Sequence, residues 1–234
     1  SGAQFASKRI LSNDRGRHQV DQAAVFALVN RHFGRLVTSP GIRFEWNEIS
    51  GWEFIPQASI SYKVMNWQLR GSVGKTIRDA DFTERFNNYQ KVFVTSGRIG
   101  NPGLLAERSI SYEAGADHFI AKDWKISATF FQRHHSRLID YVPTHYDQMP
   151  RKVNLTPMGS YALAKNIASV KTTGIETDIQ FDRQWNKNSR LWATLGLVFL
   201  KSVSSEQTPS LYISSHARFL TNFSFGGNEV LRYL

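Results

Sequence analysis

The sequence predicts an all-β fold: an antiparallel, up-and-down transmembrane β-barrel, of which about ten strands are present. Three observations carry the prediction. First, apolar and polar residues alternate with period two, most cleanly in WQLRGSVGKTI (67–77) and ERSISYEAGAD (107–117). Side chains on a strand point to opposite faces in turn, so each segment has one apolar and one polar face. Second, the turns near Gly34, Asn66, Lys122 and Lys187 are short, whereas the connections at the other strand ends are longer or much longer. Barrels with short turns on one membrane side and long loops on the other have this asymmetry. Third, hydrophobic residues make up only 41% of the chain while aromatics reach 13%. That balance suits strands that are apolar at alternate positions. The longest unbroken apolar run, Ala23–Val29, has seven residues, far short of the roughly twenty a spanning helix needs.

Taken in order, residues 4–12 read as the end of a strand, followed by a turn at Asn13–Gly16. His18–His32 is a strand with a nearly continuous apolar centre, and Phe33-Gly34 a tight turn. Arg35–Glu48 alternates well, with Pro40 as its one blemish, because proline cannot donate to a ladder. Ile49–Gly51 turns the chain into Glu53–Val64, and Met65-Asn66 into the strand at Trp67. About thirty residues separate that strand from the next, far more than a hairpin requires. After Ile120, Ala121–Asp123 is a tight turn and Trp124–Val142 rises as one strand. A second long loop runs from Pro143 to about Asn166. Lys171–Asp182 descends, Gln184–Asn188 turns, Leu191–Val203 ascends, Ser204–Pro209 is a loop and Tyr212–Phe225 descends. GGNEVLRYL reads as a turn with the start of a further strand. Several strands are too long for a soluble sandwich, whose turns recur every eight to twelve residues or so. Trp67 and Trp124 follow short turns and Trp185 lies in one, the places where interfacial aromatic belts fall.

Composition excludes other classes. Cysteine is absent, which removes disulfide frameworks, thiolate metal sites and cysteine nucleophiles. The net charge is +10, and such a basic chain first suggests nucleic acid. However, Lys and Arg are spread thinly, with no basic helix and no recognisable nucleic-acid module, so no nucleic-acid partner is expected. Lipid phosphates or an anionic ligand would explain the charge equally well. Ser1 begins no secretory signal. The pattern begins part-way through a strand and stops at Leu234 as another starts. An open sheet edge leaves backbone groups unpaired, which is costly in lipid. Residues 1–234 are therefore expected to be one piece of a larger barrel.

The stretch WQLRGSVGKTIRDADFTERFNNY, followed by GNPGLLAERSISYEAGAD, resembles the barrel of TonB-dependent outer-membrane receptors. Arg70, Gly74, Arg78, Phe82, Glu84, Gly100, Asn101, Pro102, Leu104, Glu107, Glu113 and Gly115 stand at matching places. Gly174 and Glu176 match the family's glycine–hydrophobic–glutamate strand. Ala80 and Ala106 depart from it, each replacing a usual proline. The resemblance implies a 22-stranded barrel in the bacterial outer membrane, with a plug domain and final strands absent from this chain. It also implies TonB as a partner through that plug, outer-membrane lipid and lipopolysaccharide around the wall, and a scarce small-molecule ligand such as an iron chelate or cobalamin. No cofactor is implied. A passive porin and a soluble β-rich binding module are the alternatives.

No catalytic constellation stands out. His134 and His135 are adjacent on a strand and point to opposite faces, so they cannot clamp one ion together. Glu113, Asp117, Glu176, Asp178 and Asp182 form acidic rows that suit a watery lumen, pairing with Arg43, Lys63 and Arg70. GNPG at 100–103 lacks the lysine of a phosphate loop. The first long loop mixes charges, amides and aromatics as adaptable binding loops do. Arg78, Asp81, Glu84, Arg85, Asn87 and Tyr89 are its candidate ligand contacts, weighed against plain solvated surface.

Overall fold

In the computed structural model, residues 1–167, 169–186, 189–204 and 218–229 are described. Ten strands form one antiparallel sheet. In sheet order they are β1 (Gly2–Ser12), β2 (Gly16–Leu28), β4 (Leu36–Asn47), β5 (Gly51–Val64), β6 (Trp67–Arg78), β8 (Glu107–Ile120), β9 (Trp124–Ser136), β12 (Val170–Asn186), β13 (Ser189–Ser204) and β14 (Phe219–Glu229). The short β3 (Arg31–Phe33) pairs with β4 alone. Spatial order follows chain order throughout, which is the up-and-down pattern. Among the described residues β1 and β14 do not pair, so the sheet is open.

The alternation settles into two faces. Paired rows such as Gly71–Ala114–Phe130–Ile175–Phe199 form an apolar outer face. Ile60, Tyr62, Trp67, Leu69, Tyr112, Phe130 and Ile175 are all well exposed there. Trp67 stacks on His118, with centroids 4.1 Å apart, and Trp124 packs against Phe181 at 4.7 Å, both at the short-turn end. Ion pairs gather on the inner face: Arg70 donates to Asp117 (3.0 Å) and Thr129 (3.1 Å). Arg43 turns instead to Glu45 two residues along its own strand (2.6 Å) and lies over Phe26. Lys63, at the turn end, meets no carboxylate among the described residues.

The two prolines of the large sheet, Pro40 and Pro56, mark ladder breaks. The expected single strand 18–32 is interrupted after Leu28. Pro40 lies opposite that break, and its carbonyl accepts from Val29 N–H (3.0 Å). In β5, Lys63 N–H donates to Arg35 C=O, so odd residues bond β4 and even residues bond β6. Pro56, an even residue with no N–H, stops the β5–β6 ladder: pairing ends at Gln57↔Gly74. Beyond it, β4–β5 pairing continues to Asn47↔Gly51 and β6–β8 pairing to Arg78↔Glu107. The sheet is thus split into two panels at its long-loop end. Glu53, itself buried, spans the split, accepting from Lys75 Nζ (2.9 Å) and Arg108 Nε (2.8 Å).

Three other expectations change. The strand predicted to run unbroken from Trp124 to Val142 ends at Ser136, and Arg137 takes a left-handed φ of 58°. The chain then enters a second sheet. Residues 226–229 are not a turn, because β14 continues through them and pairs back to Ser189↔Glu229. Gln184 and Trp185, read as part of a turn, remain in β12. The turn residues Lys187 and Asn188, the loop at 205–209, the first part of the 212–225 strand and residues 230–234 lie outside the described residues.

Candidate functional site: a canopy built from two long loops

The two long loops are ordered by one another. The first carries α1 (Phe82–Phe86) and β7 (Val94–Ile99); the second carries β10 (Ile139–Thr144) and β11 (Leu155–Asn166). β11 pairs antiparallel with β10 and parallel with β7, so the two loops share one three-stranded sheet. Val94, Ile99, Met149, Leu155, Tyr161 and Leu163 bury a small core between them. At roughly 1.5–3 kcal/mol for a fully buried side chain, that core is the main force holding the loops together. The Tyr161 hydroxyl donates to Val94 C=O (2.8 Å), and Asn154 Nδ2 to the carbonyls of Asn88 (2.9 Å) and Lys91 (2.7 Å).

The canopy leans over the inner face toward β2. Phe86 of α1 stacks face to face on His18, 3.5 Å between centroids and 4° between planes. Gln90 N–H donates to Asp14 C=O (2.8 Å). His18 pairs with Ile10 and lies on the same side of β2 as Gln22 and Ala24, which is the inner side.

The candidate ligand contacts divide here. Asp81 is the N-cap of α1: its carboxylate accepts from Glu84 N–H (2.8 Å), while Glu84 Oε2 accepts from Asp81 N–H (2.9 Å), a reciprocal capping box. Arg78 donates to both Glu84 (2.9 and 3.0 Å) and Glu107 (2.6 Å), tying helix to wall. Arg78, Asp81, Glu84 and Glu107 line a cavity of about 460 Å³ together with His135, Ile139, Thr172 and Ser202. Arg85, Asn87 and Tyr89 do not line it. Arg85 is buried and donates to Pro102 C=O (2.8 Å) and Ala80 C=O (3.4 Å). Burial lowers its pKa, opposed by Asp79 and Glu84. Asn87 donates to Arg98 C=O (2.7 Å). Tyr89 lies under the Arg151 guanidinium at 4.3 Å, and burial raises its phenol pKa.

The motif residues do structural work. Asn101 donates to Ala164 C=O (3.0 Å) in the other loop and accepts from Gly103 N–H (3.0 Å), while its own N–H donates to Glu84 C=O (2.9 Å). Pro102 supplies the carbonyl that receives Arg85. Glu107 also accepts from Ile139 N–H (2.6 Å) at the start of β10. Arg70, Glu113 and Glu176 line a second inner hollow of about 400 Å³ with Asp117 and Asp178. A Cβ at Gly174 would sit 2.4 Å from Phe131 Cζ, and one at Gly115 would sit 2.9 Å from Thr129 Oγ1. Gly74 is less constrained, because an added Cβ would only touch Gln57 at 3.7 Å.

Sequence reasoning missed His135, Thr172 and Ser202. Their inward parity was readable, but which rows of distant strands the canopy would cover was not. His134 and His135 do face opposite ways: Ile110↔His134↔Lys171 lies in an outer row, and His135 lines the inner cavity.

Comparison with known proteins agrees with this architecture. The family model described as TonB dependent receptor-like, beta-barrel, matches residues 2–231. Among solved structures, the siderophore receptor PirA from Pseudomonas aeruginosa superposes with a TM-score of 0.65 at 14% identity, covering 86% of this chain and 36% of that one. The copper transporter OprC gives 0.62 at 13% identity, covering 92% and 34%. The outer membrane transporter YddB from Escherichia coli gives 0.61 at 11% identity, covering 80% and 25%. The chain thus spans about a third or less of each of these structures. No curated protein matches it by sequence.

Proposed function

Since the chain belongs to the TonB-dependent receptor-like β-barrel family, we propose that it is part of the wall of an outer-membrane receptor. In this reading the intact protein captures a scarce small-molecule ligand, such as an iron chelate or cobalamin, and imports it with energy delivered by TonB through a plug domain. The activity is binding and gated transport, without catalysis. Surrounding outer-membrane lipid, with lipopolysaccharide, solvates the outer face.

The observation that supports this best is the ordered canopy. Two loops share one sheet and one core, lean over the inner face and close a charged cavity against the wall. A loop pair that only shed water would need no such internal ladder. In this scheme Arg78, Asp81 and Glu84 face the ligand, while Arg85, Asn87 and Tyr89 hold the loop that presents them. The test is ligand-dependent binding by the full-length protein in detergent, titrated with a panel of ferric chelates and cobalamin, alongside TonB-dependent uptake by cells. Saturable binding that falls at least tenfold in Arg78→Ala is expected. Diffusive uptake of unrelated solutes, unaffected by loss of TonB, would mean a passive pore instead.

A further inference from the structure

The split between β5 and β6 runs through the thickness of the wall. Pairing stops at Gln57↔Gly74, and the next ladder pair would join Pro56 to Lys75. Pro56 has no N–H to donate. Beyond it, the backbone groups of Trp52 and Phe54 on one side and of Lys75 and Ile77 on the other have no ladder between them. Side chains from both faces meet in the gap. Glu53 pairs with Glu45, which pairs with Ala24 of the inner side. Lys75 and Arg108 belong to the outer side, opposite Ile110 and Ile77. In a continuous sheet a layer of backbone would keep these groups apart. Here the Glu53 carboxylate accepts from Lys75 Nζ (2.9 Å) and Arg108 Nε (2.8 Å). The seam is thus filled by ionic side chains and not by hydrogen-bonded backbone.

The two sides of the seam differ in polarity at one height. On β6 the apolar outer positions run from Trp67 to Val73, about 20 Å of strand, and end where the seam begins. The other side stays apolar past that level: Pro56, Phe54 and Trp52 continue on β5, beside Ile42, Phe44 and Trp46 of β4. Phe44 packs against Phe54 at 4.9 Å, and Trp52 is 74% exposed. On the inner side, just below the seam, Ser59, Ser61, Ser72, Arg70 and Glu113 line a hollow of about 260 Å³. The canopy's anchors, Arg78 on β6 and His18 on β2, stand on opposite sides of the seam, so α1 passes above its inner mouth.

From this we infer that the β5–β6 seam is a side entrance, through which a single-chain amphiphile passes from the outer leaflet into the space beneath the canopy. The apolar chain lies on the Phe44–Phe54–Trp52 surface. The polar head displaces the Glu53 ion cluster, and the serine-lined hollow receives it. The inference rests on the membrane reading above and adds to it a ligand class and a route: a lipid-soluble ligand reaches the lumen without passing the canopy from water.

The test places the full-length receptor in phosphatidylcholine liposomes that contain N-octadecylmaleimide, a probe confined to the bilayer. Single cysteines are introduced as Thr76→Cys, on the inner side beside the seam, and Arg133→Cys, on the inner side where both ladders are unbroken. No cysteine among these 234 residues competes. Rates are normalised to those of a water-soluble maleimide. Thr76→Cys should be labelled on the order of tenfold faster than Arg133→Cys, because the seam opens locally and an intact ladder does not. Glu53→Ala should raise the Thr76→Cys rate. Pro56→Val, which supplies the missing N–H, should lower it toward that of Arg133→Cys. Equal rates at the two cysteines overturn the entrance, as does a fast Thr76→Cys rate that responds to neither substitution. Heat-modifiable gel migration reports folding, and Pro56→Val carries the test where Glu53→Ala does not fold. Val73→Cys, on the outer face, separates the two levels: its labelling with a slow Thr76→Cys refutes the entrance alone, whereas its failure to react in the folded protein refutes the membrane reading as well.

Discussion

Glu53→Ala tests whether the split between β5 and β6 is closed by side chains in place of backbone. Glu53 is 8% exposed, and the side chains of Lys75 and Arg108 are 25% and 28% exposed. Removing a fully buried partner costs about 3–5 kcal/mol. Two partly solvated cations can relax toward water, which brings the expected cost to roughly 1–3 kcal/mol. No ladder hydrogen bond joins β5 to β6 beyond Gln57↔Gly74, so that cost should be felt as local opening. Amide exchange on the full-length protein in detergent, read by mass spectrometry, should speed up on the order of tenfold in 51–56 and 75–78. Exchange at 58–64 and 67–73, where the ladder is intact, should be unchanged. Glu53→Gln should fall between, because an amide oxygen still accepts but no longer neutralises. If exchange in Glu53→Ala rises equally on both sides of Gln57, or in neither, the carboxylate is not what closes the split.

Two further perturbations address the wall and the canopy. Gly174→Val should destabilise the barrel by roughly 1–3 kcal/mol, because its Cβ would meet the Phe131 ring at 2.4 Å; Phe131→Ala in the same chain should recover part of the loss in urea unfolding. Asn101→Ala removes the amide that joins the two loops at Ala164 and leaves that buried residue's carbonyl without its donor, a loss of about 1–3 kcal/mol. It should show as faster proteolysis between Asn87 and Glu107 with no change in the thermal unfolding of the wall.

Much of the candidate site was hidden in the sequence because its parts are brought together by the canopy. Arg78, Asp81 and Glu84 could be singled out as a charged cluster near a strand end, and the capping box is visible in the Asp81–Glu84 spacing. That Arg85 would be buried beneath Pro102 was not legible, because nothing local distinguishes it from Arg78. The parallel pairing of β7 with β11 joins residues some sixty positions apart across an intervening hairpin, and no short-range pattern encodes such a partner. The prolines behaved similarly. Pro40 and Pro56 could be seen as missing donors, but only the register shows that each falls where a ladder ends.

What the chain determined by itself is most of the strands of the large sheet and their two faces. Side-chain direction in an extended backbone follows from covalent geometry, so alternation along Trp67–Ile77 or Glu107–Asp117 is decided residue by residue. The sorting of carboxylates inward follows from the same parity. What only the tertiary structure decided is which rows meet, and hence every contact that crosses strands: Glu53 with Lys75 and Arg108, His18 with Phe86, His135 with Arg78 around one cavity. Those meetings depend on register, on the breaks at the two prolines and on a loop core buried cooperatively, which are properties of the assembled sheet and of no single stretch within it.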